Sequence, residues 1–213
     1  MYAIVDVTAL DARAIDVVSH AKSLLSTPLA ALQLRAKDAP GGRVLALASE
    51  LAKLARAASV PFFVNDRVDI ALLAGAGVHL GQDDLSPAFA RELAARAGVE
   101  LAIGFSTHNE AQALAALDLP IDYLAVGPVF DTSSKLRPDP VLGAARAREI
   151  AGEVRARRAR LPTVAIGGIE TARLADLGVF DAVAVIGALL PEGGVSAEAR
   201  ARDFARAFAE VRA

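Results

Sequence analysis

The sequence predicts a single domain over residues 1–213, an α/β chain folded as a (β/α)₈ barrel of eight parallel strands alternating with helices, the TIM barrel. Short β-branched or aromatic runs alternate with alanine-rich amphipathic stretches, a pattern typical of α/β proteins. Polar residues follow one run after another, as the functional rim of a barrel requires. An open, doubly wound sheet is the alternative that this alternation leaves open.

Eight apolar runs are the candidate strands, and eight is the number that closes a parallel barrel. They lie at residues 2–5, 31–34, 62–64, 77–80, 101–103, 123–126, 163–166 and 182–186. Apolar residues at helical spacing indicate amphipathic helices between these runs. The clearest faces contain Val44, Ala48, Leu51 and Ala55, and then Phe204 and Phe208 in a closing helix.

Composition excludes several classes of partner and site. The formal net charge of −2 gives no basic surface for nucleic acid or membrane, so we expect neither as a partner. The chain has no cysteine and only three histidines, so neither disulfides nor a structural zinc site is expected. Its apolar runs are shorter than the ~20 residues of a membrane helix, and its start lacks a signal-peptide pattern. We therefore expect a cytoplasmic protein, whose oligomeric state the sequence leaves open.

Two acids follow neighbouring candidate strands. Asn65 and Asp66 come after the third run, and Asp84 comes after the fourth. If these strands are parallel neighbours, both carboxylates meet at one edge, where Mg²⁺ is held by one or two carboxylates and substrate phosphates. A competing interpretation is that Asp66 caps the helix that follows it and that Asp83 or Asp84 caps the helix after Pro87.

Polar residues also end the second candidate strand. Strand periodicity puts Leu32 and Leu34 on one face and Gln33 and Arg35 on the other. Arg35 then suits bidentate phosphate binding, Gln33 suits a heterocycle or an amide, and Lys37 adds a mobile cation. The alternative is that Arg35 and Lys37 are solvated charges.

Further candidates follow the sixth, seventh and eighth strands. Gly168 and Gly187 lie where loops of this fold commonly bind phosphate through backbone N–H groups, although such glycines are often only turns. Thr132, Ser134 and Lys135 lie on a loop that suits a lid over phosphate, or that is an ordinary polar loop.

Ser106, after the fifth run, is positioned to reach the barrel mouth. His108 is expected at a helix start. His79 lies within the fourth strand, where a satisfied interior histidine is the first interpretation and a pocket contact is the second.

The motifs, taken in order, resemble those of the thiamine-phosphate synthase family, also called thiamine-phosphate pyrophosphorylases. They are QLRAK at 33–37, ND at 65–66, HLGQDD at 79–84, GFSTH at 104–108, GPVFDTSSK at 127–135 and IGGI at 166–169. The resemblance extends from Tyr2 to about Leu190. It implies a (β/α)₈ barrel that joins hydroxymethylpyrimidine diphosphate to hydroxyethylthiazole phosphate and releases diphosphate with Mg²⁺ bound.

The resemblance also implies roles for individual residues. Gln33 would contact the pyrimidine, Ser106 would lie near the pyrimidine and leaving group, and Asp66 and Asp84 would bind Mg²⁺. The residues implied to hold the diphosphate are Arg35, Lys37, Asn65 and Lys135. Those implied at the thiazole phosphate are Thr132, Ser134, Gly168 and Gly187. Arg35, Lys37, Ser106 and Lys135 form the expected catalytic set, acting by charge stabilisation and positioning.

The chain departs from the family pattern at three positions. The family usually has proline where this chain has Asp131, threonine at Ser134 and serine at Gly187. Two other functions stay open: a thiazole tautomerase of related fold, and a non-catalytic barrel that binds thiazole phosphate or thiamine phosphate. Retention of Gln33, Arg35, Lys37, Asp66 and Asp84 argues against the tautomerase, and the intact acid pair argues against the non-catalytic barrel.

Overall fold

A computed structural model describes residues 1–132 and 139–212, and its eight parallel strands close into a barrel in sequence order. The strands are β1 Tyr2–Asp6, β2 Ala31–Arg35, β3 Phe62–Asn65, β4 Gly77–Leu80, β5 Ile103–Thr107, β6 Tyr123–Val126, β7 Thr163–Ile166 and β8 Ala182–Val185. Closure occurs where β1 pairs with β8, with Tyr2 opposite Ala184. The barrel prediction is confirmed, and the open-sheet alternative is wrong.

Helices surround the barrel and follow most of its strands. They are α1 Val7–Asp11, α2 Val17–Leu25, α3 Gly41–Ala57, α4 Val68–Ala74, α5 Pro87–Arg96, α6 Glu110–Ala115, α7 Ala144–Arg157 and α8 Ala197–Glu210. Between β7 and β8 the connection is a 3₁₀ segment, Thr171–Asp176, in place of an α-helix. Across the residues that the structure describes, no helix is both long and apolar enough to cross a membrane.

Strand β5 lies further along the chain than expected. The apolar run at 101–103 predicts a strand there, but β5 begins at Ile103 and continues to Thr107. Hydrophobicity does not reveal this strand, because its inward-facing positions hold Gly104 and the polar Ser106. An added Cβ on Gly104 would lie 1.9 Å from Cζ of Tyr123, so the close approach of that ring requires glycine. Ser106 is therefore a strand residue and not a loop residue.

Two apolar cores follow from the alternation of side chains along the strands. Outward-facing residues such as Leu32 and Leu34 pack against the helices. Inward-facing residues fill the barrel, where Tyr2, Phe63 and Tyr123 make tilted or edge-on ring contacts with one another. The apolar filling lies towards the amino ends of the strands, and polar inward residues follow it towards the carboxyl ends, where the cavity opens.

Candidate active site

A cavity of about 1060 Å³ opens at the carboxyl ends of the strands. Its volume reaches the upper end of the roughly 300–1,000 Å³ usual for small-molecule sites, which suits one large or two small ligands. The predicted site residues that line it are Gln33, Arg35, Lys37, Asn65, Asp66, Asp84, Ser106, Thr132, Gly168 and Gly187. The other two, Ser134 and Lys135, lie outside the described residues.

Asp66 occupies an unusual backbone position immediately after β3. Its φ is +64°, a value that non-glycine residues rarely adopt, and the N–H of Arg67 donates to the carbonyl of Asn65 across this turn at 2.8 Å. The Asp66 N–H donates to the carbonyl of His79 at 2.8 Å, which ties the turn to β4. The N-cap of α4 is Arg67, so the interpretation of Asp66 as a helix cap is wrong.

Asp84 closes the turn after β4, where its Oδ2 accepts the N–H of Gly81 at 2.7 Å. Neither Asp84 nor Asp83 caps α5, because the Ser86 hydroxyl accepts the N–H of Phe89 and occupies the cap position. A serine directly before proline is a good N-cap, and it leaves both acids available for other contacts.

The two carboxyl groups interact at the mouth of the cavity. Burial, followed by the charge of Asp84, raises the pKa of Asp66 to about 6, and Lys37 opposes this shift. The Lys37 Nζ lies 3.4 Å from Asp66 Oδ2. Within residues 1–132 and 139–212, no three acidic, histidine or cysteine side chains are grouped closely enough to hold a metal unaided. The acid pair fits a hard cation such as Mg²⁺ whose shell is completed by ligand phosphates and water.

Arg35 is held by an acid that sequence reasoning missed. Asp6, at the end of β1, is opposite Arg35 in the strand register, and its Oδ2 forms an ion pair with the guanidinium. The Asp6 Oδ1 accepts the N–H of Ala9 at 2.9 Å and caps α1. Both side chains of the ion pair are largely buried, so the guanidinium is fixed in place at the cavity wall. The sequence feature that could have revealed this ion pair is the acidic residue Asp6 at the end of the strand next to that of Arg35.

A chain of buried polar side chains crosses the barrel interior beneath the cavity. Gln33 Nε2 donates to the Tyr2 hydroxyl at 2.8 Å, and this hydroxyl lies 2.8 Å from that of Tyr123. The Tyr123 hydroxyl is 2.6 Å from Nδ1 of His79, and Nε2 of His79 is 2.8 Å from Oγ of Ser106. His79 is thus a satisfied interior histidine that also lines the cavity.

Sequence reasoning missed both tyrosines of this chain. Burial raises the pKa of Tyr2 and of Tyr123 well above the usual tyrosine range, so both phenols keep their protons. The signal for Tyr2 and Tyr123 was weak because each stands at the start of an apolar strand, where an aromatic residue is ordinary core.

The loops after β6 and β7 pack directly on each other. The N–H of Phe130 donates to the carbonyl of Gly167 at 3.0 Å. An added Cβ on Gly168 would lie 2.1 Å from the carbonyl oxygen of Asp131, so backbone packing alone requires glycine there. At Gly187, after β8, an added Cβ meets no atom within 4 Å. Backbone packing therefore requires glycine at position 168 but not at position 187.

His108 lies at a helix start, as predicted. Asn109 is the N-cap of α6, and the N–H of His108 donates to the side-chain oxygen of Gln112 at 2.7 Å. The Nδ1 of His108 donates to the carbonyl of Gly127 at 2.7 Å, which ties the helix start to the loop after β6.

Barrel proteins that bind phosphorylated ligands share this placement of charged groups and glycine loops above the carboxyl ends of their strands. By its fold and by its cavity, the chain belongs to the class of (β/α)₈ barrels with a small-molecule site at the carboxyl ends of their strands.

Comparison with known proteins narrows the class to one family. The model of the thiamine monophosphate synthase family matches residues 1–189. A thiamine-phosphate synthase of Koribacter versatilis is 42% identical over 89% of this chain and 88% of its own. One from Thermus thermophilus is 48% identical over 74% of this chain and 69% of its own. The solved thiamine phosphate pyrophosphorylase of Pyrococcus furiosus has a TM-score of 0.81 and 31% identity, covering 99% of this chain and 95% of that one.

The chain belongs to the thiamine monophosphate synthase family. A catalytic role in thiamine biosynthesis follows from that membership.

Proposed function

We propose that this protein joins hydroxymethylpyrimidine diphosphate to hydroxyethylthiazole phosphate, giving thiamine phosphate and diphosphate, with Mg²⁺ as cofactor. The observation that carries the proposal is the position of Asp66 beside Asp84 and 3.4 Å from the Lys37 ammonium, at the mouth of a cavity within the family-matched region. A cation site next to a half-exposed ammonium suits a metal-bound diphosphate.

The diphosphate would lie on the side of β2, β3 and β4. Asp66 and Asp84 would hold Mg²⁺, which when bound neutralises charge on a leaving diphosphate. Arg35, fixed by Asp6, offers its remaining N–H groups to a phosphate without losing side-chain freedom on binding. Lys37 is about half exposed and can follow the diphosphate as it leaves. Asn65 and Lys135 complete this half of the proposed site.

The acceptor substrate would lie on the side of β6, β7 and β8. The proposed contacts to the thiazole phosphate are Thr132, Ser134, Gly168 and Gly187. Gln33 and Ser106, nearer the centre of the barrel, would contact the pyrimidine.

The reaction is a substitution at the methylene carbon of the pyrimidine. The carbon–oxygen bond to diphosphate breaks and its electron pair leaves with the diphosphate, while the thiazole nitrogen lone pair forms the new carbon–nitrogen bond. No proton has to be removed from either substrate, so the site needs no general base. The work of the protein is to align the two substrates and to stabilise the departing anion.

A coupled assay tests this proposal. The protein is incubated with both substrates, with and without Mg²⁺, and thiamine phosphate and diphosphate are measured together. We expect equal amounts of the two products and a requirement for Mg²⁺. Asp83→Asn is a matched control, because Asp83 is exposed and does not line the cavity. Isomerisation of a thiazole tautomer without thiamine phosphate, or ligand binding without diphosphate release, would contradict the proposal.

A further inference from the structure

Arg173 holds the loop after β7 from outside the cavity. It lies in the 3₁₀ segment Thr171–Asp176, and its Nη1 donates to the carbonyl of Gly168 at 3.1 Å. Its guanidinium also covers the ring of Phe130, with Cζ 4.9 Å from the ring centroid. Arg173 is exposed, and among the described residues that line the cavity neither it nor Phe130 is found. One exposed side chain therefore joins the loops after β6 and β7 on their outer side.

The contact with Arg173 sets the orientation of one peptide group. The peptide that joins Gly168 to Ile169 is trans, so its C=O and its N–H point in opposite directions. Because the Gly168 carbonyl points towards Arg173, the N–H of Ile169 points away from it. Within residues 1–132 and 139–212, no backbone carbonyl accepts this N–H.

Ile169 presents its backbone to the cavity. The residue lines the cavity, yet it is only 4% exposed and its side chain packs in the core between strands and helices. The part of Ile169 that a ligand can reach is therefore its peptide group. A backbone N–H at a cavity wall without an internal acceptor is a donor that an anionic ligand can use.

Arg173 is the group that keeps this peptide in place. The start of the loop is held by the loop after β6, because the N–H of Val129 donates to the carbonyl of Ile166 at 2.8 Å. Further along, in the part of the chain that the structure describes, no backbone N–H donates to the Gly168 carbonyl. Removal of the Arg173 side chain would therefore leave the Gly168–Ile169 peptide able to rotate.

We propose that Arg173 is a positioning residue for the acceptor substrate, because it holds the Gly168–Ile169 peptide so that the N–H of Ile169 donates to the phosphate of the thiazole. This inference rests on the proposed function, which puts that phosphate on the side of β6, β7 and β8. Arg173 acts through the peptide and does not touch the phosphate, since its guanidinium lies outside the cavity. A donor that is held in place before binding loses little freedom when the ligand arrives.

Arg173→Ala tests the inference by kinetics. Its KM for hydroxyethylthiazole phosphate should rise about three- to tenfold, as expected for one hydrogen bond, while kcat and the KM for the pyrimidine diphosphate stay within about twofold. A general loss of stability would not separate the two substrates in this way. Equal changes in both KM values, or no change in either, would overturn the inference.

Arg148→Ala is the matched control. Arg148 is another exposed arginine, and its Nη1 lies 2.8 Å from Oδ1 of Asp176, at the far end of the same 3₁₀ segment. Its removal leaves the Gly168 carbonyl untouched, so both KM values should be unchanged. A rise in the KM for the thiazole phosphate as large as that of Arg173→Ala would assign the effect to lost surface charge, against the inference.

Salt separates positioning from direct attraction between Arg173 and the phosphate. The ratio of the KM for the thiazole phosphate in Arg173→Ala to that in the unsubstituted protein is measured at about 0.1 M and about 1 M salt, between which the Debye length falls from about 10 Å to about 3 Å. The ratio should persist at the higher salt, because the orientation of a peptide is not screened. A ratio that falls to about one there would show direct attraction and overturn the inference.

The Ile169 amide gives a readout that does not depend on turnover. Isoleucine is labelled with ¹⁵N, and the Ile169 amide signal is assigned as the one lost in Ile169→Val. On titration with inorganic phosphate, the amide proton of Ile169 should move downfield in the unsubstituted protein and in Arg148→Ala, and it should move less in Arg173→Ala. An Ile169 signal that phosphate does not move in the unsubstituted protein would overturn the inference.

The outcomes separate this inference from the proposed function. Formation of thiamine phosphate with an unchanged KM in Arg173→Ala overturns the inference alone. A phosphate-dependent shift of the Ile169 amide that Arg173→Ala weakens, in a protein that makes no thiamine phosphate, supports the inference and contradicts the proposed function.

Discussion

The carboxyl group of Asp66 lies next to that of Asp84, and burial together with this neighbouring charge raises the pKa of Asp66 to about 6. The two acids come from the ends of adjacent parallel strands, β3 and β4. Asp66 reaches this position through a turn with φ of +64° that is anchored to the β4 backbone. Strain and charge repulsion at one point are typical of a functional site, because a bound cation relieves the repulsion.

Replacing Asp84 tests the metal site. We expect Asp84→Asn to weaken Mg²⁺ binding and lower kcat/KM by at least about tenfold, because it removes a negative ligand. Asparagine keeps an oxygen that can accept the Gly81 N–H, so the turn after β4 and the melting temperature should be preserved. Asp84→Ala also loses this hydrogen bond, at about 0.5–1.5 kcal/mol, which makes it the less specific variant. Unchanged Mg²⁺ affinity in Asp84→Asn would remove this residue from the metal site.

Mg²⁺ affinity should depend on pH through the Asp66 carboxyl. A metal ligand must be deprotonated, and the pKa of Asp66 in the metal-free protein is about 6. Affinity should therefore rise about tenfold per pH unit below that value and level off above it, as expected for release of one proton. Calorimetric titration with MgCl₂ over this range measures the effect. The same titration of Asp66→Asn should show weak binding with little pH dependence.

Asp66→Asn should stabilise the metal-free protein. A carboxyl whose pKa is raised on folding, here from 3.8 to about 6, destabilises the folded state when ionised. This penalty is fully present above the folded pKa and disappears as the pH falls towards the unfolded value. Asparagine removes it and tolerates positive φ, but it gives up the ion pair with Lys37. We therefore expect a gain of about 1–2 kcal/mol near neutral pH, less than the roughly 3 kcal/mol of the full shift, and little gain near pH 4.

Denaturant unfolding in the presence of a chelator measures this difference. With excess Mg²⁺ the order should reverse, because only the unsubstituted protein is stabilised by the bound ion. A variant that is less stable than the unsubstituted protein at neutral pH without metal would contradict the prediction.

Substitutions of Gly187 and Gly168 by serine should have opposite effects. Gly187→Ser has open space around its Cβ and adds a hydroxyl at the cavity wall, so we expect a lower KM for the thiazole phosphate by a few-fold. Gly168→Ser would force its Cβ against the Asp131 carbonyl in a backbone with φ of +59°, and should lower both stability and activity. Steady-state kinetics and melting temperatures compare the two. An unchanged KM in Gly187→Ser would remove this position from the proposed thiazole phosphate site.

The local sequence pattern was sufficient to predict the barrel fold and most of the residues that line the cavity at its rim. Strand periodicity placed Gln33 and Arg35 on the inward face, because side-chain alternation depends only on neighbouring residues. Strand periodicity did not predict the bounds of β5, because its inward-facing residues, Gly104 and Ser106, give no hydrophobic signal. The helix caps Ser86 and Asn109 likewise depend only on neighbouring residues, since a cap acts within its own first turn.

By itself, the sequence determined the number and order of the strands, the inward position of Gln33 and the acids that follow β3 and β4. Only the tertiary structure decided which of these groups meet. The Asp6–Arg35 ion pair and the chain from Tyr2 through Tyr123 to His79 join residues from separate strands. Such contacts depend on the closure and register of the barrel. Both are set by packing of the whole chain, so they cannot be predicted from the pattern of any single segment.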